Sequence, residues 1–558
     1  MLACGRSCTS VVSKEGHLYV WGHGPEGQLG VDRLPPVSTL FQQPVYHTDD
    51  DGRPYFCSDA HRCIDARAAH RLPARVDFGS IGMPGTPNLP ASTPIRMVAC
   101  GTRHQAAVTE DGTLLTCGDG REGQLGRLVF VPNDGTQHER EQSWRMTPVV
   151  ALGAPFVDDF AGAPVLSVAC GHAHTMAVTT AGLVFTCGAN DHGQLGLGNR
   201  ESRHLLAQVA GPTSIAMAAC GSEHSIVVSS EGRVWSWGKG GGRNWGIEPG
   251  EFGVHGHYDS DDRLSPSVLQ APEEFASSTI VMVSAGEYHT VAVGECGAVW
   301  SWGVGSTGQL GLGSLFTAPL PTLVGAEDVF GGSKPHLAVC GSCHTLVVTE
   351  AGAVWACGQG GSGALGLNDS LPRFVPTRID QKRFAHARVV TLAAGDCHSA
   401  AVTHNGALFT WGRGKDHGVH SGGPGGLGHA DQRNRLVPAQ VSPDLLHGPV
   451  GRCLGLADDY ALAFAMGTHS RLGAGTTVAG GSRRKQGGSA RRNSKRKVAG
   501  RGLVQGSFYS EMPADLVRKI VKACDWKLEG ETGQWAQMGE GMARLGAGPQ
   551  NKRLVVHQ

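Results

Sequence analysis

The chain has 558 residues, of which 83 are glycine and 40% are hydrophobic, and its 48 basic and 48 acidic residues balance. Glycine at about twice its usual frequency in so apolar a chain indicates many tight turns in a packed protein and excludes disorder throughout. The 16 cysteines are few for a disulfide scaffold, and the sequence contains no run of 18 apolar residues and no basic stretch leading into an apolar one at its start. We therefore expect an intracellular chain, nuclear or cytoplasmic, with free buried thiols and no membrane association.

An internal repeat extends over about residues 1–466. Its pattern is a small residue, Cys, Gly, two variable residues, His, an apolar strand, Gly, and a second strand that ends in Trp/Cys-Gly and leads to Gly-Gln-Leu-Gly. The clearest copies contain Cys170-Gly171 with His174, and Ala285-Gly286 with His289. Other copies begin at Cys4, Cys100, Cys220, Cys340 and Ala394. Seven copies in register indicate a repeat architecture.

Each copy reads as a four-stranded blade. Short β-branched runs such as residues 225–228 and 345–348 are typical of strands buried on both faces, and a Gly between two such runs marks a hairpin turn. Sheets repeated radially leave few exposed edges, so the sequence predicts an all-β, seven-bladed β-propeller. The first copy, at Ala3-Cys4-Gly5, lacks the apolar strand that precedes later copies. We therefore expect residues 449–465 to pair with the first blade, so that N- and C-terminal strands close the ring; the alternative is a vestigial eighth blade.

The spacing between copies indicates three insertions in the propeller, at about 31–94, 127–164 and 239–280. Residues 467–509 are rich in Gly and Ser and in basic residues, which predicts a disordered linker, and residues 510–558 form a C-terminal tail. In that tail, apolar residues at helical spacing after Ser510 predict a short helix at about 511–526 that docks on the propeller or binds a partner.

The tandem Cys-Gly-x-x-His…Gly…Trp-Gly…Gly-Gln-Leu-Gly copies resemble the regulator of chromosome condensation family, whose members are seven-bladed propellers. In the exchange factors of that family, the loop between Gly and His faces a small GTPase and carries acidic residues and His. The resemblance thus implies GTPase-contact candidates in three copies: Glu223, Glu287 and Asp396, with His224, His289 and His398.

A second feature of the resemblance concerns the fourth copy, which lacks Gly-Gln-Leu-Gly after Trp237-Gly238. Exchange factors directed at Ran have one degraded turn at such a place, which forms a protruding β-wedge used on the GTPase. The resemblance therefore implies wedge candidates within about residues 239–251: Lys239, Arg243, Asn244 and Trp245. A flexible loop is the alternative.

No motif for bond-making catalysis stands out, and we expect no catalytic residue, no metal and no cofactor. Cys340-Gly-Ser-Cys343-His344 matches a haem-attachment pattern, but Cys340 and His344 are ordinary repeat positions and only Cys343 is additional. The recurring Cys/His pairs offer two ligands per blade, and a structural zinc site needs four that converge. The stretch from Cys57 to Cys63 is a looser metal candidate inside the first insertion.

Residues 467–558 hold 17 basic and 6 acidic residues, a net charge of +11, which leaves −11 on residues 1–466. Two basic clusters in the tail match a bipartite nuclear-import signal, with nonspecific nucleic-acid contact or simple solvation as alternatives. The import candidates are Arg483, Arg484, Lys485, Arg491, Arg492, Lys495, Arg496 and Lys497.

These features together predict a protein-interaction propeller, with regulation of a small GTPase, Ran-like in the leading case, as its most specific role. Such an exchange factor stabilises the nucleotide-free GTPase and binds no nucleotide itself. The alternative is a scaffold, or a chromatin or cytoskeletal adaptor, without exchange activity, because fold alone does not fix function.

Overall fold

The computed structural model describes residues 1–446, apart from residues 25, 32–45, 49–53, 57–68, 77, 79–88, 91–92, 128–141, 150–159, 161–162, 242–252, 271, 326–328, 416–425 and 430. The chain divides into two units, residues 1–469 and 470–558, and all described residues belong to the first. The predicted tail helix at 511–526, the import candidates and residues 449–465 therefore lie outside the described residues.

The described residues form a seven-bladed β-propeller in which every blade is a four-stranded antiparallel sheet, as the repeat predicts. Blade 1 consists of β1 (Leu2–Cys4), β2 (Cys8–Val12), β3 (Leu18–His23) and β6 (Ala69–Arg75). Blade 2 consists of β7 (Ile95–Cys100), β8 (His104–Thr109), β9 (Leu114–Asp119) and β10 (Gln142–Pro148). Blade 3 consists of β11 (Val165–Cys170), β12 (His174–Thr179), β13 (Val184–Gly188) and β14 (Arg203–Gln208).

The remaining four blades follow the same order along the chain. Blade 4 consists of β15 (Ile215–Cys220), β16 (His224–Ser229), β17 (Val234–Gly238) and β18 (Arg263–Val268). Blade 5 consists of β19 (Ile280–Ala285), β20 (His289–Gly294), β21 (Val299–Gly303) and β22 (Ala318–Leu323). Blade 6 consists of β23 (Pro335–Cys340), β24 (His344–Thr349), β25 (Val354–Gly358) and β26 (Arg373–Arg378). Blade 7 consists of β27 (Val389–Ala394), β28 (His398–Thr403), β29 (Leu408–Gly412) and β30 (Arg435–Gln440).

Helix is scarce in the described part of the chain. One α-helical turn, α1 (Glu273–Ala276), and two 3-10 turns, Gln381–Phe384 and Pro443–Leu446, lie after the fourth strands of blades 4, 6 and 7. The first of these turns carries Phe275, which is buried against Trp300 and Trp302 with ring centroids 5.5 and 5.7 Å apart. Each short helix thus contributes an apolar side chain to the core instead of forming a layer of its own.

Burial explains the apolar runs of the repeat. The second strand of each blade is buried along its whole length, as β12 and β24 illustrate, because it lies in the middle of a sheet that packs on a neighbouring blade on each side. The hairpin that follows β12 turns at Gly182, whose φ of 74° is a left-handed conformation that favours glycine. Exposed side chains are instead found on the outermost strands, such as β14 and β26, which carry charged and polar residues beside apolar ones.

The ring closes between blades 7 and 1. Seven glycines approach one another in a closed cycle, six from Gly-x-x-His loops and one from the equivalent loop of blade 1, where Cys8 replaces the His. A Cβ atom added to any of them would lie within 2.8 Å of the carbonyl oxygen of its counterpart in the next blade. The cycle runs through Gly5, Gly101, Gly171, Gly221, Gly286, Gly341 and Gly395 and returns to Gly5. Glycine is required at this repeat position because any side chain would clash with the carbonyl of the next blade. None of the seven glycines needs the left-handed backbone conformation that favours glycine elsewhere.

The expectation that the first copy lacks an innermost strand is wrong. Leu2–Cys4 form that strand, which pairs with β2 in the register Leu2↔Val11 and Cys4↔Thr9. Three residues suffice because the backbone N–H of Val12 also donates to the carbonyl of Met1. All four strand positions of blade 1 are thus filled by residues 2–75.

The first predicted insertion, at 31–94, contains part of the blade itself. It includes β6, the outermost strand of blade 1, and the two-stranded sheet of β4 (Tyr46–Thr48) and β5 (Pro54–Phe56). The sequence concealed β6 because Ala69–Arg75 carries three charged or imidazole side chains and a proline, a composition that an outermost strand tolerates.

Candidate functional site

One face of the propeller carries both kinds of loop that the repeat singles out. In an antiparallel blade, the connection from the first to the second strand and the connection from the third to the fourth emerge on the same side. The Gly-x-x-His loops are the former, and the Gly-Gln-Leu-Gly turns belong to the latter. We call this side the loop face. The described ends of the third-to-fourth connections of blades 1, 2, 4 and 7 also lie on it.

The centre of the loop face is the mouth of the axial channel, a cavity of about 400 Å³. Its rim takes the first variable residue of every Gly-x-x-His loop. In blade order these residues are Arg6, Thr102, His172, Ser222, Glu287, Ser342 and Asp396. Ionisable and hydroxyl side chains alternate over all seven positions in this order, and only at the closure of the ring do two ionisable residues, Asp396 and Arg6, follow each other. The axial mouth is therefore a polar ring with Arg6 and His172 on one arc and the carboxylates on the other.

Glu287 and Asp396, predicted from the sequence as contact residues, are both half-buried at this mouth. The Ser342 hydroxyl donates a hydrogen bond to Glu287 Oε2, and Asp396 borders a second cavity of about 140 Å³ that Arg413 also lines. Burial, with smaller contributions from the two carboxylates, raises the pKa of the nearby Cys343 thiol to about 11. Cys343 is therefore a protonated thiol beside an acidic arc.

Glu223 is committed to an ion pair inside its own blade. Lys239 Nζ lies 2.5 Å from Glu223 Oε2 and 5.5 Å from the centroid of the Tyr288 ring. The Lys239 side chain is 2% exposed, and the Glu223 side chain is 27% exposed. His192 Nε2 also lies 3.8 Å from Glu223 Oε2. Glu223 therefore neutralises a buried cation, and Lys239 is not part of a protruding wedge, because desolvating its ammonium requires this carboxylate.

The predicted histidines do not face solvent. His224, His289 and His398 are at most 2% exposed. Each belongs to a series of six in which the imidazole Nε2 lies 2.9–3.1 Å from a Ser or Thr hydroxyl of the next blade. These pairs are His104–Thr175, His174–Ser225, His224–Thr290, His289–Thr345, His344–Ser399 and His398–Thr9. The three candidates are thus out of reach of a partner and join neighbouring blades, a role that their recurrence in nearly every copy could have indicated.

The tautomer of these histidines follows from the hydroxyl partners. Ser225, for example, donates its one proton to the carbonyl of Gln194 at 2.8 Å, so it accepts from His174 Nε2–H. Nδ1 of His174 is buried without a partner among the described residues. Because burial penalises the charged form, the pKa values of His174, His224 and His289 fall to about 3.

The turn of the fourth copy is displaced rather than lost, which corrects the sequence reading. Gly253-Val254-His255-Gly256 occupies the place of Gly-Gln-Leu-Gly: Gly253 and Gly256 have φ of 89° and 86°, and Val254 and His255 are buried. Ser236 donates to the His255 carbonyl at 2.6 Å, as Thr186 does to that of Leu195 in blade 3. Of the four wedge candidates, Arg243, Asn244 and Trp245 lie outside the described residues.

The described residues contain no group of three or more His, Cys, Asp or Glu side chains that could hold a metal ion. The looser metal candidate at Cys57–Cys63 belongs to the undescribed ranges. Within the described ranges, no helix has both the length and the apolar composition needed to span a membrane.

Comparison with known proteins agrees with this architecture. The chain is 29% identical over 394 residues to the ultraviolet-B receptor UVR8 of Arabidopsis thaliana, which covers 69% of this chain and 80% of the receptor. It is 29% identical over 414 residues to the mitochondrial RCC1 domain-containing protein RUG3 of the same plant, which covers 72% of this chain and 78% of RUG3.

Among solved structures, yeast RCC1 (Prp20) bound to Kap60 superposes with a TM-score of 0.56 at 18% identity, over 77% of this chain and 85% of that one. A separate structure of Prp20p from Saccharomyces cerevisiae, studied with its binding to Gsp1p and histones, gives 0.50 at 19% identity, over 71% and 80%. These two likenesses concern the fold.

The models of the family match directly. The RCC1-like domain covers residues 1–334, and the regulator of chromosome condensation (RCC1) repeat covers residues 351–402. With its seven glycine-linked blades and these matches, the chain belongs to the RCC1-like propeller family.

Proposed function

We propose that this chain is a protein-interaction propeller that binds its partner on the loop face, and that the partner is a small GTPase, Ran-like in the leading case, whose nucleotide exchange it accelerates. The observation that carries the proposal is the pair of half-buried carboxylates, Glu287 and Asp396, at the axial mouth. The described ends of the longer third-to-fourth connections emerge on the same face. No nucleotide site on the propeller is required.

Charge supports a protein partner with basic side chains near the axis. The described residues on the acidic arc present carboxylates whose hydrogen bonds to this chain are few, so a lysine or arginine of a partner can complete their coordination. Prp20p, which shares the fold, is a protein whose binding to Gsp1p and to histones has been studied. The three buried histidines named above play no part in the proposal, and Glu223 contributes through Lys239 and not as a free acid.

A scaffold without exchange activity is the second candidate function. It is favoured by the mixed chemistry of the axial mouth, whose lining combines Arg6 and His172 with the two carboxylates. Such a ring can accept a partner loop of either sign without acting on a nucleotide. A chromatin or cytoskeletal adaptor belongs to this class.

The exchange function and the scaffold function can be separated by one assay. It measures the release of a fluorescent GDP analogue from a panel of purified small GTPases that includes Ran. We expect the full chain to accelerate release from one of them, and the Glu287→Gln/Asp396→Asn double variant to lose at least ten-fold of that acceleration. Glu295→Gln, an exposed acid on the opposite face, is the control. If no GTPase responds to the wild-type chain, the exchange proposal is rejected and the scaffold remains.

We further propose that the basic clusters of residues 483–497 act as a nuclear-import signal, with nonspecific nucleic-acid contact as the alternative. Replacing all eight arginines and lysines of the two clusters by glutamine, with the propeller intact, should shift a fluorescent fusion from the nucleus to the cytoplasm. An unchanged distribution would reject import. Loss of salt-dependent binding to a random-sequence DNA duplex in the same variant would instead support nucleic-acid contact.

A further inference from the structure

Neighbouring blades are joined in a repeated way, and we call each such contact a seam. In a seam, one blade offers the backbone carbonyl of the second residue of its Gly-Gln-Leu-Gly turn, or of the equivalent turn. This carbonyl accepts hydrogen bonds from side chains of the next blade. Trp237 Nε1 donates to Gln194, Trp411 Nε1 to Ala364, and Trp21 Nε1 to Gly426, each at 2.8 Å. Hydroxyls donate to the same carbonyls at 2.6–2.8 Å, from Thr9, Thr175, Ser225, Thr345 and Ser399.

The seam between blades 4 and 5 lacks both bonds. Trp302 takes the place of Trp237 and Trp411 and is fully buried, but its Nε1 has no acceptor among the described residues. The only hydrogen bond of the Thr290 hydroxyl within the described part of the chain is the one to His224. The carbonyl of Val254, which stands at the acceptor position, is therefore unused by blade 5.

The turn at this seam also differs in sequence from four of the others. In the turns at Gln28, Gln124, Gln194 and Gln309, the Gln side chain accepts from a backbone N–H two residues earlier and fixes the turn. Val254 has no such group. Ala364 and Gly426 have none either, yet their carbonyls accept both bonds from the next blade, so the missing Gln alone does not account for the difference.

Backbone strain adds to the weakness of this seam. In blades 3 to 6, the residue two positions after the turn has a left-handed backbone conformation. Its N–H donates a hydrogen bond to a carbonyl of the outermost strand of the next blade. At three seams this residue is Gly198, Gly313 or Asn368, with φ of 68–77°. At the seam between blades 4 and 5 it is Tyr258, with φ of 59° and a 3.1 Å bond to the Pro319 carbonyl. A left-handed conformation costs a bulky residue about 1–2 kcal/mol.

We propose that the seam between blades 4 and 5 is the point at which the propeller ring opens. In a ring of repeats that contact only their neighbours, local opening begins at the weakest interface. This seam alone, among those whose turn is described, combines an unpaired buried indole N–H, an unused turn carbonyl and a strained bridging residue.

The opening has a consequence for the loop face that rests on the proposed function. Glu223 and Lys239 stand on blade 4, whereas Tyr288 and Glu287 stand on blade 5, so the seam separates Glu223 from Glu287 and borders the acidic arc of blades 5 to 7. Opening separates Lys239 Nζ from the Tyr288 ring and breaks the 3.2 Å bond from Ser222 N–H to the Glu287 carbonyl. The ring thus has a built-in means to change the spacing of these acids when a partner binds.

Hydrogen–deuterium exchange on the full chain without any partner tests the opening independently of GTPase activity. The amides of Ser222 and Tyr258 cross the seam in question, and those of His172 and Gly198 make the equivalent bonds between blades 3 and 4. After correction for intrinsic rates, we expect Ser222 and Tyr258 to exchange at least ten-fold faster. Equal or slower exchange would overturn the proposal, whatever the GDP-release assay gives.

Paired variants provide a second readout. Trp302 and Trp411 are both fully buried, and each meets a phenylalanine edge-to-face, at 5.7 and 5.8 Å, so Trp→Phe removes the same volume from both. Trp411→Phe should lower Tm by several degrees more than Trp302→Phe, because only Trp411 loses a hydrogen bond. Tyr258→Gly should slow exchange at Ser222 by at least three-fold. An equal loss of Tm for both tryptophans, or no slowing by Tyr258→Gly, would contradict the proposal.

Discussion

The six buried histidines between blades should make the propeller unfold in mild acid. Their folded pKa values lie at about 3 to 4, below the ordinary value of 6.5, and desolvation is the main cause. The unfolded chain therefore binds more protons between pH 6.5 and about 4, and the free energy of unfolding falls as pH falls through that window. Six groups at about 1.36 kcal/mol per pH unit each give a limiting slope of about 8 kcal/mol per unit. From pH 7.5 to 5.5 the expected loss is about 8 kcal/mol, comparable with the whole stability of a domain.

Urea unfolding followed by tryptophan fluorescence between pH 7.5 and 5.5 measures this dependence. His174→Gln keeps a donor for the Ser225 hydroxyl and removes one titrating group, so its stability should fall by about 1.3 kcal/mol less than that of the wild type over the same range. His404→Gln, at an exposed hairpin position, should leave the dependence unchanged. The same pH dependence in wild type and His174→Gln, or a wild-type stability that does not change with pH, would refute the reasoning.

Three further variants test the packing. Gly286→Ala should lower the free energy of unfolding by more than about 3 kcal/mol or prevent soluble expression, because the added Cβ has no space in the glycine cycle. Gly361 has open space around it, so the control Gly361→Ala should express and melt like the wild type. Glu223→Gln should cost about 3 kcal/mol by leaving the Lys239 ammonium buried and unpaired, and adding Lys239→Met should recover most of that loss in a chemical denaturation series. Ser225→Ala should cost about 2 kcal/mol by differential scanning calorimetry, because one hydroxyl serves two hydrogen bonds across a seam.

The fold could be predicted because the repeat encodes it redundantly. Seven copies of one pattern, each with a hairpin glycine and two apolar runs, are compatible with few architectures, and the four strands per blade followed from them. The strands that escaped prediction include β1 and β6, and also the outermost strands β10 and β18, which lie within the predicted insertions at 127–164 and 239–280. β1 is three residues long, and β6 has solvent on its outer side, so neither needs an apolar run.

The candidate site was predictable only in part. Glu287 and Asp396 stand at a loop position that varies between copies, and variation within a repeat is a usable signal for surface chemistry. His224 and its counterparts recur in six copies and are followed by Ser, Thr or Gln, which is the mark of a structural contact rather than of a binding residue. The remaining members of the axial mouth, such as Arg6 and Ser342, follow from the same loop position once the ring is known to bring all seven loops to one axis.

Glu223 shows why single positions were not enough. Its partner Lys239 lies 16 residues away, and the two meet because the Lys239 N–H bonds to the Glu223 carbonyl where the second and third strands end together. In blade 2 the same two repeat positions hold Arg103 and Asp119, 4.0 Å apart and with the charges reversed. Deviations from the repeat thus occur as complementary pairs set by strand register. An acid in such a pair stabilises its own blade. Glu287 stands one loop position earlier, at the axial mouth, and Tyr288 is the residue of blade 5 opposite Val304, so Glu287 is outside this pairing and is the acid that we propose for a partner.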